Sequence, residues 1–151
     1  MSMPSEMQDE DLAASQPSPL VRVAGGACML TGLFTALQAV QLWGFVLIGA
    51  VKLIPLLMLA FGVGAIFVGF HVARLRGWAA ASATGLCGFI VLAQSAWVFY
   101  GLAHGFVSLV GFALPPAALA AAVLCGLAVP ASFRADLARR RLAEDGLSTG
   151  M

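Results

Sequence analysis

Residues 53–73 read LIPLLMLAFGVGAIFVGFHVA, twenty-one positions without one charged side chain, between Lys52 and the run Arg74-Leu75-Arg76-Gly77-Trp78. At about 1.5 Å of rise per residue, a helix of this length just crosses a hydrocarbon core roughly 30 Å thick. A stretch this apolar has few folds open to it. It is the core of a large soluble protein or it is in lipid, and 151 residues do not make a large protein.

Composition decides between the two. Apolar residues are 61% of the chain and charged residues 10%, against roughly 45–50% and about 25% in soluble domains. A single soluble domain has too little interior for that apolar surface, whereas lipid solvates it. Charge is also segregated. Every carboxylate lies in a tail: Glu6, Asp9, Glu10 and Asp11, then Asp136, Glu144 and Asp145. Seven of the eight basic residues are arginine, and the abundance of Ala, Gly and Arg points to a GC-rich bacterial source.

The expected fold is an all-α integral membrane protein, a bundle of four transmembrane helices. Residues 1–19 are polar, acidic and proline-containing, and predict a disordered tail. They lack the basic n-region of a signal peptide. The membrane domain, residues 20–130, contains spans at about 20–43, 53–73, 79–100 and 106–129. Residues 44–51 are apolar but too short to cross, and predict an interfacial linker. Pro55 falls in the first turn of the second span, where a missing N–H costs little. A loop at 101–105 holds His104. Pro115-Pro116 sits inside the fourth span, so the expectation is a kinked helix, with an interfacial 106–114 as the alternative. Pro130 is expected to close it. Residues 131–151 then predict a short basic helix and tail, with Ser132 as N-cap.

Four crossings place Arg22, Arg74, Arg76, Arg134 and Arg139–Arg141 on one side and Lys52 on the other. The positive-inside rule assigns the arginine side, and with it both termini, to the cytoplasm of a bacterial inner membrane. Arg74, Arg76, Arg139, Arg140 and Arg141 are then placed to meet anionic headgroups, at about 1 kcal/mol per charge.

Apolar burial does not drive helices together in lipid; close contact between small residues does. Each span carries such a row: Ala24, Cys28, Gly32 and Ala36; Ala65, Gly69 and Ala73; Ala81 with Gly85, beside Ala80, Thr84 and Gly88; and Ala113, Ala117, Ala121 and Cys125, beside Ala118, Ala122 and Gly126. The rows suit packing within one bundle and association with another membrane subunit or a second copy. An offset of 56 residues also pairs Gly32 with Gly88, Gln38 with Gln94 and Trp43 with Phe99. Three matches in so alanine-rich a sequence do not establish a duplication.

Polar groups within spans are where function is sought first. Gln38, Gln41, Gln94 and Ser95 fall near the outer ends of their spans, at the level of Lys52. Together they are a candidate ligand site, with Lys52 favouring an anion. The plainer expectation is that the glutamines bond across helices and Lys52 snorkels. Cys28, Cys87, Cys125 and His71 lie toward the inner side without C-x-x-C spacing, so no metal, haem or disulfide is expected. With no carboxylate in the spans, no positioned nucleophile and base, and no nucleic-acid pattern, the expected protein is not an enzyme, binds no cofactor, and meets lipids and other helices. Passage of a small solute or ion through the outer polar cluster is the alternative.

Overall fold

The structure is a computed structural model and describes residues 12–16, 18–45, 53–74, 76–105 and 109–144. It is all-helical: α1 (Pro19–Phe45), α2 (Leu53–Ala73), α3 (Gly77–His104) and α4 (Leu109–Glu144). All four are long and apolar enough to cross a membrane.

Local sequence accounts for several helix ends. Ser18 caps α1, its Oγ accepting from Val21 N–H at 3.4 Å, and Pro19 opens the helix where no N–H is needed. α2 ends at Ala73, with Arg76 N–H reaching back to the His71 carbonyl at 3.2 Å. Gly105 stops α3. It takes the left-handed conformation (φ 73°), and its N–H donates to the Gly101 and Leu102 carbonyls.

Successive helices run antiparallel. Gly25 meets Gly69 and Gly32 meets Gly62 across α1 and α2; the Phe61 ring lies tilted against Phe89, and His71 against Trp78, across α2 and α3. Gly77 lies against Phe133 and Asp136, and Gly126 against Thr84, across α3 and α4. α4 also packs on α1, which closes a four-sided ring. The parallel pair, α1 and α3, faces across the diagonal and touches sparsely.

The closest seam lies between α1 and α2. A Cβ on Gly32 would come within 2.5 Å of the Gly62 carbonyl oxygen, and one on Gly62 within 2.7 Å of the Gly32 oxygen. Gly25 and Gly69 repeat the arrangement two turns away, at 2.8 Å in each direction. Two of the small-residue rows are therefore spent inside the bundle, on backbone-to-backbone approach.

The interior is built from small residues. Ala24, Ala65, Ala79, Ala80, Ala83, Ala118, Ala121 and Ala128 are fully buried, and Ile90 is among the few large side chains there. The large apolar side chains point outward, including Leu92 at 70% and Phe99 at 72% exposure. Water would penalise such a surface, and lipid does not. The chain is a multi-pass membrane protein by this distribution as well as by helix length.

Four expectations need correction. α4 does not stop at Pro130 but continues to Glu144, so Ser132 is no N-cap and residues 131–144 form no separate helix. The inward stripe explains this. Leu114, Ala118, Ala121, Cys125, Ala128, Ser132, Ala135, Ala138 and Leu142 are all buried, at steps of three or four that pass straight through the proline. Pro130 itself faces outward. Its missing N–H removes one intrahelical bond, and that loss does not outweigh the packing of the stripe. Pro115 and Pro116 likewise lie within continuous helix. At 36 residues α4 is about 54 Å long, so its arginine-rich end extends past the hydrocarbon core.

The second correction is that α3 runs through the expected loop at 101–105 as far as His104, whose Nδ1 lies 2.8 Å from the Tyr100 carbonyl oxygen. Third, α3 starts at Gly77, not at residue 79. Fourth, the expected disordered tail includes one helical turn, residues 12–15, with Ser15 buried. Residues 1–11 and 17 of that tail, most of the 44–51 linker, the start of the expected fourth span at 106–108, and residues 145–151 lie outside the described residues.

Candidate functional site

α1 and α3 touch sparsely, yet two polar contacts bridge their diagonal. Away from the arginine end Gln94 Nε2 donates to Gln38 Oε1 at 2.8 Å. Gln94 is 1% and Gln38 7% exposed, so the bond is in the bundle interior. Gln94 Oε1 is buried and has no partner among the described residues. Beside it is a cavity of ≈ 20 Å³ that reaches Thr35 on α1, Met58 and Phe61 on α2, and Phe89 on α3. Thr35 Oγ1 donates to the Thr31 carbonyl at 2.8 Å, which leaves its lone pairs free to accept.

This is less than the expected cluster. Gln41 is exposed on the outer surface of α1 and does not join the pair. Lys52 lies outside the described residues. Ser95 is half-buried one position beyond Gln94. What the structure brings together is a glutamine pair with one unsatisfied carbonyl oxygen.

The second bridge lies toward the arginine end. Cys87 Sγ is 3.5 Å from Cys28 Sγ, and Cys28 Sγ donates to the Ala65 carbonyl at 3.3 Å. Cys125, from α4, approaches both thiols and lies 3.6 Å from the Ala24 carbonyl oxygen. All three cysteines are free and fully buried. The sequence placed them at a similar depth but did not bring them into contact; their positions on the inward stripes of α1, α3 and α4 are the signal that would have done so. Here they act as small apolar residues with weak donors. Among the described residues no group of three or more His, Cys, Asp or Glu is arranged to hold a metal ion.

The third cluster gathers the basic residues at one end of the bundle. Arg139 Nη1 donates to the Arg74 carbonyl at 2.9 Å and its Nη2 to the Ser15 carbonyl at 3.2 Å. One guanidinium therefore ties α4 to the α2–α3 turn and to the N-terminal helical turn. Sequence reading assigned Arg139 only to headgroups and missed this clamp. Arg74 lays its guanidinium over the Phe70 ring at 4.3 Å. Arg140 pairs with Asp136 at 3.2 Å, four residues back on α4. Arg76 and Arg141 are exposed. His71 sits between Phe67, at 4.5 Å, and Trp78, at 5.5 Å, an aromatic setting suited to an interface.

Chemically, the interior offers hydrogen-bond acceptors and thiols without a carboxylate among the described residues, and the arginine end offers cations. Comparison with family models, with curated proteins and with solved structures finds no match to this chain.

Proposed function

We propose that this chain is a non-enzymatic protein of the bacterial inner membrane, with both termini in the cytoplasm, that works through helix-face and lipid contacts as an accessory subunit or a small oligomer. One observation carries the reading. The small-residue faces of α1 and α2 are spent on each other, but Ala81 and Gly85 on α3 are exposed, and a Cβ on Gly85 or Gly88 would meet nothing within 4 Å. Glycine costs a helix about 1 kcal/mol relative to alanine. Such a face is suited to receiving another helix closely. The gathering of Ser15, Arg74 and Arg139 at one end supports the orientation through the positive-inside rule.

The test is the mass of the protein purified in mild detergent, with and without a Gly85→Leu substitution. A complex that Gly85→Leu dissociates supports the reading. A strict monomer that copurifies with nothing overturns it. A reporter fused after Met151 tests orientation, with cytoplasmic activity expected.

A second reading, passage of a small solute, is favoured by the unpartnered Gln94 oxygen and the cavity beside it. Its test is liposome flux compared with a Lys52→Ala, Gln94→Leu variant. No flux, or flux unchanged by the substitutions, removes it.

A further inference from the structure

Cys28 on α1 and Cys87 on α3 hold their sulfurs 3.5 Å apart, although they are 59 positions apart in sequence and their helices otherwise touch sparsely. Cys125 on α4 approaches both, and all three thiols are free and fully buried. Three helices thus each commit a cysteine to one spot. The sulfurs are not arranged to hold a metal ion. What two thiols in contact can do is exchange their hydrogens for a bond, closing from 3.5 Å to about 2.05 Å.

The hydrogen bonds indicate which pair is set to close. Cys87 Sγ donates to Cys28 Sγ, which donates onward to the Ala65 carbonyl at 3.3 Å. Cys125 Sγ is directed instead to the Ala24 carbonyl, at 3.6 Å. The surroundings select the oxidant. A charged one pays heavily to enter a low-dielectric interior, whereas a neutral hydroperoxide does not. Buried thiols react slowly, so the pair answers sustained exposure rather than traces.

We propose that Cys28 and Cys87 are a peroxide-responsive dithiol, which a neutral hydroperoxide converts to a disulfide tying α1 to α3 across the diagonal of the bundle. One thiol attacks the terminal peroxide oxygen. The O–O bond breaks, and the hydroperoxide leaves as an alcohol, or as water if it is hydrogen peroxide. The second thiol takes the resulting sulfenic acid; the S–S bond forms and water leaves. Two electrons and both thiol hydrogens pass to oxygen, and no charge remains in the interior. The inference does not rest on association of the protein with other helices.

The test uses the intact protein in lipid nanodiscs. Samples are exposed for hours to tert-butyl hydroperoxide, hydrogen peroxide or ferricyanide. The oxidant is removed, and the protein is unfolded in SDS with N-ethylmaleimide. Untreated protein is expected to take three maleimides by intact mass. Hydroperoxide-treated protein takes one, mapped to Cys125, and dithiothreitol restores three. Either hydroperoxide giving this result supports the pair: the organic one alone places the oxidant in lipid, and hydrogen peroxide alone places it in water. Ferricyanide, which is charged, is expected to leave three. Cys125→Ala is expected to keep the response, falling from two maleimides to none. The proposal is overturned by three maleimides after both hydroperoxides, by a bond mapped to Cys125, by a disulfide-linked dimer, or by ferricyanide acting as well as the neutral oxidants.

Discussion

Gln94 on α3 donates a 2.8 Å hydrogen bond to Gln38 on α1, joining two parallel helices across the diagonal of a bundle whose contacts run mainly around its edges. The residues are 56 positions apart, the same offset at which the two halves of the sequence show their few coincidences. In a low-dielectric interior the bond matters less for its own strength than for what its loss leaves unpaired.

Removing the second partner therefore costs less than removing the first. Gln38→Leu and Gln94→Leu are each expected to destabilise the bundle by about 1 kcal/mol. The double variant is expected to lose less than the sum, with a coupling of roughly 0.6–1.7 kcal/mol. Unfolding titrations in mixed micelles read all four corners of the cycle. Additive losses would show that the two amides do not interact.

Glycine at the α1–α2 seam is a steric requirement. Gly32→Ala drives a methyl group into the Gly62 carbonyl and the Ala65 side chain, and is expected to cost roughly 1–3 kcal/mol, as overpacking does. Gly26→Ala, next to Gly25 but turned away from that seam and with nothing within 4 Å of the new atom, is expected to lose no stability and to gain a few tenths from helix propensity. Thermal unfolding followed by circular dichroism separates them. Equal effects would contradict the close approach.

The thiols are sealed from both faces of the membrane. A water-soluble maleimide is expected to leave Cys28, Cys87 and Cys125 unmodified in the folded protein and to label all three once the bundle is unfolded in SDS, counted by intact mass. Labelling of any one before unfolding would mean that the interface around it opens in solution.

Arg139 acts as a clamp where Arg140 is a surface charge. Arg139→Lys has no planar fork to span the Ser15 and Arg74 carbonyls. It is expected to cost about 1 kcal/mol and to speed hydrogen exchange of residues 12–15. Arg140→Ala breaks an exposed pair with Asp136 and is expected to cost at most about 0.5 kcal/mol, without affecting the N-terminal turn. Identical exchange in the two variants would remove the clamp.

Much of this architecture can be read from the chain. Four apolar stretches, three of them closely bounded, follow from hydropathy, because a helix is the only open-chain structure that satisfies its backbone in lipid. The end of α4 was not legible from local signals. Pro130 and Ser132 read as a stop and a new cap, and the continuous inward stripe outweighed both. Gln38 and Gln94 meet and Gln41 does not join them, because helix rotation, which linear position does not reveal, turns Gln41 outward.

Amino-acid order by itself determined the number of long apolar helices, the segregation of charge to their ends, and the small side chains that let them come close. Those properties are additive along the chain and depend on nearest neighbours and solvent. Tertiary structure alone decided which faces of the helices meet: Gly32 on Gly62, Cys28 on Cys87, Gln38 on Gln94, and Arg139 on two carbonyls far from it in sequence. That choice depends on the rotation and depth of each helix against the others, set by packing around the whole ring at once, and no single stretch of the chain contains it.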